Sequence, residues 1–228
     1  MIRVFIGYDP RETVAFNVLA YSIHARASEP VCVTPLMLSQ LKGVLTRERH
    51  PLQRTDFSFS RFLTPHLSGY AGWSVFTDCD MLVLDDIALL WALRDERYAV
   101  MVVQHVHVPK ETVKFLGQPQ SRYEKKNWSS VMLFNNAACR TLTPEYVNSA
   151  SGLELHQFKW LEGDHLIGPL PDRWNHLVGY HAPRRDAALV HYTLGGPYFD
   201  EYRDCEYADE WRRERDRMLF AERRRAGA

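Results

Sequence analysis

No uninterrupted apolar run in this chain approaches the roughly 20 residues that a membrane span requires. The opening MIRVFIGYDP has no long apolar core and no small-residue cleavage site, so it does not read as a secretory signal. Net charge is also missing. The 28 basic residues balance 28 acidic ones, which leaves no whole-chain field to attract nucleic acid. The four cysteines (Cys32, Cys79, Cys139, Cys205) stand far apart with no C-x-x-C pair. Their spacing argues against a zinc site or a disulfide framework and for a reducing compartment. G-x-G-x-x-G and G-x-x-x-x-G-K-[ST] are both absent, which excludes the usual dinucleotide fingerprint and the P-loop. There is no internal repeat and no low-complexity linker.

What is present is an ordinary globular composition, 46% hydrophobic and 25% charged over 228 residues, ample for a sizeable core. Residues 3–6 read as a short buried strand ended by the loop Gly7-Tyr8-Asp9-Pro10. Over 13–24, Val14, Phe16, Val18, Leu19 and Ile23 recur at helical spacing, and 31–36 is β-branched. This strand–helix–strand start predicts an α/β fold with a largely parallel sheet covered by helices. Further along, 60–67 is a helix candidate carrying Arg61, 74–77 a strand, and 87–93 a helix capped by Asp86. Strands are expected at 99–103, 131–134 and 187–192, and a short helix at 144–148. Residues 41–57 read as a surface excursion. Residues 104–127 form a long polar stretch of the kind that is functional or mobile in compact domains. The tail, 211–228, has seven Arg against three acids. It is either a solvated terminal helix or frayed end, or a segment that docks weakly on an anionic membrane surface or acidic partner.

The chemistry-bearing stretch is SVFTDCDMLVLDD, 74–86. Fourteen Asp in the chain supply roughly one D-x-D by chance, so Asp78-Cys79-Asp80 draws its interest from context. In an extended segment residues i and i+2 face the same way, so Asp78 and Asp80 can share one divalent cation while Cys79 turns aside. Carboxylates at a strand's C-terminal end suit Mg²⁺ or Mn²⁺. The alternative is a strand-ending turn, with Asp85 and Asp86 starting the next helix. His191 follows an apolar strand and precedes Gly195-Gly196. It is either a metal ligand beside a backbone that can approach a phosphate, or a satisfied half-buried histidine. Arg61 can reach a phosphate bidentately or pair with one of the aspartates and fix it. Asp164, in EGDHLIG, can bond a sugar hydroxyl or stabilise developing positive charge. His105 and His107 form an H-x-H pair with no third ligand nearby in sequence, which argues against zinc.

In their order, VFIGYD, FSFSRFL, DCDML, KNWSSVMLFNN and HYTLGGP resemble the A-type (GT-A) glycosyltransferases, and among them family 8, in particular a group of small bacterial enzymes. The resemblance runs from Arg3 to about Asp209. It implies one GT-A, Rossmann-like domain over 1–210, with a mixed, mostly parallel central sheet, and a basic C-terminal helix or tail over 211–228. It implies a hexosyl transfer, with retention, from a nucleoside-diphosphate sugar (a UDP-sugar) to an acceptor hydroxyl on a saccharide or lipid-linked acceptor, in cell-surface glycan synthesis. The setting implied is cytoplasmic, with the basic tail able to touch the inner face of the membrane. Asp78, Asp80 and His191 match the ligands of Mn²⁺ or Mg²⁺. Ile6, Gly7, Tyr8 and Asp9 match the loop around base and ribose. Arg61, Asp78, Cys79, Ser129, Ser130, Gly195 and Gly196 match positions around the donor, and Asp164 and Arg61 match those nearest the chemistry. Two departures stand out. His165 replaces the family's Gln, and Pro197 and Tyr198 stand where a late Lys is usual, with Lys110, Lys114 and Lys126 as conceivable substitutes. Competing readings are a Mg²⁺-dependent phosphohydrolase of the haloacid-dehalogenase type, whose motif belongs nearer the first strand, and a non-catalytic nucleotide-sugar-binding module.

Overall fold

A computed structural model describes residues 1–49, 53–106, 113–114, 118–119 and 124–220. His107, Lys110, the side chain of Lys114 and the end of the tail, 221–228, lie outside the described residues.

The chain opens as strand β1 (Ile2–Gly7), helix α1 (Thr13–Arg26) and strand β2 (Val31–Leu36), with β1 and β2 parallel. Helix α2 (Thr64–Leu67) follows a single 3₁₀ turn, Ser60–Leu63, and leads to β3 (Trp73–Thr77), which lies parallel to β1 on its other side. Next come β4 (Met81–Val83), α3 (Ile87–Trp91) and β5 (Val100–Val102). The stretch 104–127 contains an antiparallel pair, β6 (Val113–Lys114) and β7 (Gln118–Pro119). The remainder is β8 (Val131–Asn135), α4 (Pro144–Ser149), α5 (Gly152–His156), β9 (Ile167–Pro169), β10 (His176–Leu177), β11 (Leu189–His191) and α6 (Ala208–Met218).

The main sheet runs β2-β1-β3-β8-β5-β9. Three of its five pairings are parallel, and β8 enters antiparallel between β3 and β5. All five residues of β3 and all five of β8 are buried, as expected for strands covered on both faces. A second sheet, β10-β11-β4, carries the late strand. The expected α/β architecture with a mixed, mostly parallel sheet is therefore present.

Helix α1 turns Ala15, Val18, Leu19, Ser22 and Ile23 inward, a 3-4-3-4 stripe, while Val14 is 39% exposed. The apolar spacing located the helix but not its face, because Ala15 and Ser22 pack closely where larger residues would not. Ser22 Oγ donates to the Leu19 carbonyl (2.8 Å) and accepts from the Val83 amide (3.1 Å), fastening α1 to β4. Asp86 caps α3, its carboxylate accepting from the Ala88 amide at 2.9 Å. Asp85 has a second use, since its carboxylate also pairs with Arg173 at 2.5 Å.

Helix α6 is not simply solvated, which corrects one of the two readings of the tail. Trp211 is 1% exposed, and Glu214 accepts two bonds from Arg26 of α1 at 2.9 and 2.7 Å. Burial alone would raise the Glu214 carboxyl. The bonds and charge of Arg26, with Arg217 beside it, outweigh that and hold it below its usual range. Among the described residues no helix is long and apolar enough to cross a membrane.

Candidate functional site

Two chain crossings build the site. At the first, β3 ends at Thr77 and the chain turns through Asp78-Cys79-Asp80 into β4. The Asp78 amide donates to the Ser130 carbonyl (3.0 Å), fixing this corner to the start of β8. At the second, β11 pairs antiparallel with β4, so His191 sits opposite Met81, and the Tyr192 amide donates to the Asp80 carbonyl (2.9 Å). Asp78, Asp80 and His191 thus each offer a ligand atom within 4.8 Å of the others. Asp80 Oδ1 and His191 Nε2 are 3.5 Å apart. Two hard carboxylate oxygens and one borderline imidazole nitrogen are a donor set that fits a small divalent cation such as Mg²⁺ or Mn²⁺.

Cys79 points away, its sulfur 3.9 Å from a Glu12 carboxylate oxygen, and is fully buried. Burial, reinforced by Glu12, Asp80, Asp78 and Asp9, pushes its thiol well above the usual range.

Arg61 takes the second of its two expected roles. It is buried, its guanidinium pairs with Asp78 at 2.8 Å, and it donates to the carbonyls of Ser129 (2.8 Å) and Phe57 (3.3 Å). Its flat group lies between the rings of Phe57 and Phe76, at 5.3 and 5.1 Å. Arg61 thus links Asp78 to the turn that precedes β8.

Ser129 and Ser130 are both buried. Ser129 Oγ lies 2.7 Å from His156 Nδ1, and Ser130 Oγ donates to the Asn127 carbonyl at 2.5 Å. Of the first loop, Ile6 is wholly in the core. Gly7 is required by its neighbour: a Cβ there would stand 2.4 Å from the Phe57 ring. Tyr8 bonds Thr13 at 2.8 Å. Asp9 is turned inward, accepting from the Arg11 side chain and from the Asp56 amide (3.2 Å). Burial would raise its carboxyl, but these partners hold it below its usual range. What this loop leaves for a ligand is its backbone and the Tyr8 ring.

Gly195 has φ 147°, a region that favours glycine. Gly196 is tight for another reason, since a Cβ would stand 2.3 Å from the Tyr198 ring. Tyr198 in turn donates to Glu12 at 2.7 Å, joining the LGGP turn to the first loop. Asp164 is set apart. Its side chain is 71% exposed and paired at 2.5 Å with Lys125, and His165 beside it is exposed. Lys126 is buried, so Lys125 is the lysine this segment presents to Asp164.

His156, Asn175 and Glu12 join the site without having been singled out in the sequence, and Tyr198 joins it in a role the sequence did not suggest. No motif marks them, and an isolated polar residue in a short helix or turn gives no signal of burial. His156 has a measurable consequence. Burial first, and the Arg61 charge second, push its ring down to about 3, against a bond to the Ser58 carbonyl that favours protonation. The folded value lies below the unfolded 6.5, so the contribution is complete above pH 6.5 and is lost as pH falls. The loss is about 1.4 kcal/mol per pH unit. Urea titrations at about pH 7 and about pH 5 should show wild type losing roughly 2 kcal/mol more than His156→Gln. Equal losses would remove His156 as the cause.

Beside the site opens a cleft of about 620 Å³ lined by Gln104, His105, Asp172, His176, His181 and Arg184, among others. It adjoins the site through chain continuity, since His176 follows Asn175, and through Trp128 Nε1, which donates to the His105 carbonyl at 2.9 Å.

No family model matches the chain. It is 51% identical over 218 residues to protein CDI of Arabidopsis thaliana, covering 92% of this chain and 84% of that protein. The fold is similar to three solved structures. The bifunctional glycosyltransferase WbbM gives a TM-score of 0.66 at 15% identity, over 94% of this chain. The glycosyltransferase GlyE of Streptococcus pneumoniae TIGR4 gives 0.63 at 12%, over 99%. The galactosyltransferase LgtC, solved with donor and acceptor sugar analogues, gives 0.60 at 14%, over 94%. The chain spans about half of WbbM (49%) and 63% of GlyE, but 95% of LgtC.

Proposed function

Because the chain belongs to the family of protein CDI and has the GT-A fold, we propose that it is a glycosyltransferase moving a hexosyl unit from a nucleoside-diphosphate sugar to an acceptor hydroxyl. The observation that carries this reading is the convergence of Asp78, Asp80 and His191 within 4.8 Å at the end of β3. A divalent cation held by these three would offset the negative charge that builds on a departing diphosphate.

The chain's own residues do the rest. Arg61 keeps the Asp78 carboxylate aimed, and its bond to the Ser129 carbonyl ties the turn before β8 to that aim. The LGGP turn, braced by Tyr198 against Glu12, brings Gly195 and Gly196 backbone to the diphosphate. The Gly7–Asp9 backbone and Tyr8 receive the nucleoside, for which we propose uridine. Ser129 and Ser130 wall the donor sugar. Asp164, steadied by Lys125, bonds a sugar hydroxyl. The acceptor occupies the cleft beside His105, His176 and His181, whose imidazoles and neighbouring Asp172 suit a hydroxyl-rich saccharide. The family 8 resemblance adds retention of configuration, a saccharide or lipid-linked acceptor and a place in glycan synthesis.

Thermal shift with UDP, GDP and CDP, with and without Mn²⁺, tests the reading. A nucleoside diphosphate at 100 times its dissociation constant adds about 2.7 kcal/mol. For a chain of this size that is roughly 5–10 °C. UDP is expected to shift the melt only when metal is present, and hydrolysis of the matching sugar nucleotide then separates enzyme from binding module. No shift with any of the three would overturn the proposal.

A further inference from the structure

His191 can coordinate a cation through Nε2 only if the ring's proton sits on Nδ1, and one buried side chain decides where that proton sits. Asn175 lies immediately before β10, wholly buried, with Oδ1 3.0 Å from His191 Nδ1. Its Nδ2 faces the Asn127 carbonyl at 3.2 Å and Ser130 Oγ at 3.1 Å. The carbonyl can only accept. The Ser130 hydroxyl has already given its proton to that same carbonyl, at 2.5 Å, so it too accepts. Flipping the Asn175 amide would set its oxygen against both acceptors, so the network admits one orientation. Oδ1 therefore faces His191, Nδ1 carries the hydrogen, and the bare Nε2 looks toward Asp80 Oδ1 at 3.5 Å.

The other end of the network is shaped for this. Asn127 has φ 66°, the left-handed region that asparagine tolerates better than most residues. That turn aims its carbonyl inward at both Asn175 and Ser130.

We infer that Asn175 is a positioning residue that holds His191 in the Nδ1–H tautomer and ties that ring to the Ser130 wall of the site. The inference rests on the metal reading proposed above only for its purpose, since the tautomer exists without metal. A second residue orienting a ligating histidine is a general device of metal sites, and its loss typically lowers metal affinity 10–100-fold.

The experiment is a long-range ¹H–¹⁵N correlation spectrum of the metal-free protein at alkaline pH, with His191 assigned by His191→Gln, alongside calorimetric Mn²⁺ titration. Wild type is expected to show Nδ1–H. Asn175→Leu is expected to move the ring toward Nε2–H and to weaken Mn²⁺ about 10–100-fold. Asn175→Asp, which keeps an acceptor toward His191 but sets its second oxygen against the Asn127 carbonyl and Ser130 Oγ, is expected to restore the Nδ1–H signature while lowering stability. A purely structural role would lower stability in both variants alike and leave the tautomer unchanged, which would overturn the inference. Should Asn175→Leu fail to fold, the wild-type spectrum decides alone, and Nε2–H there overturns it. Nδ1–H in wild type with no Mn²⁺ binding would uphold the positioning and sink the metal reading.

Discussion

Asp80→Asn should reduce sugar transfer by about 10²–10³-fold and abolish its dependence on Mn²⁺, with the thermal melt essentially unmoved. An amide keeps the shape of the carboxylate but not its charge, and a single well-placed electrostatic contribution to a transition state is worth roughly 10²–10³ in rate. The fold should tolerate the change because asparagine fits the same space at a corner that Asp80 shares with Asp78 and His191. Removing one of two adjacent carboxylates relieves repulsion in the metal-free protein. Initial rates with a UDP-sugar across a Mn²⁺ series, beside a melting curve, check both halves. A variant with wild-type turnover would show that the acidic corner is a turn and nothing more.

Arg61→Met should act mainly on stability, lowering it by about 3–5 kcal/mol, the usual result of leaving one member of a buried ion pair without the other. Methionine abandons Asp78 and the carbonyls of Ser129 and Phe57, and takes the guanidinium away from the rings of Phe57 and Phe76. The double variant with Asp78→Asn should recover part of the loss, because the stranded charge goes with it. Mn²⁺ should raise the melting point of Arg61→Met by more than it raises that of wild type, since a cation then answers a charge that Arg61 otherwise balances. Urea unfolding of the four proteins measures this. A loss under about 1 kcal/mol would place the pair among weakly contributing ion pairs.

How far the sequence shows these features depends on whether a signal is local. The strands expected at 31–36 and 131–134 are β-branched or apolar apart from Pro35, and the structure ends both within a residue of expectation. Asp86 announces its helix because a cap acts two residues away. In contrast β9, with sequence IGP, carries both residues that usually exclude a strand. It forms because β5 offers it a parallel partner and because Gly168 leaves room for Tyr98, whose ring would lie 2.5 Å from any Cβ there. The site divides in the same way. Asp78 and Asp80 are legible because their relation is two residues long. Arg61's contact with the Ser129 carbonyl, 68 positions away, has no signal in the sequence. The exposed Asp164 shows its Lys125 partner only in three dimensions, across 39 positions.

The antiparallel entry of β8 has a consequence during synthesis. β3 and β5 never touch as neighbours, since each pairs with β8 instead. Until residue 135 has left the ribosome, β3, Trp73–Thr77, is an open strand edge with β1 on one flank and its β8 partner not yet made. Exposed strand edges of this kind invite wrong partners. The nascent protein therefore carries this open edge while the roughly 50 residues between β3 and β8 are made, at translation rates a window of several seconds.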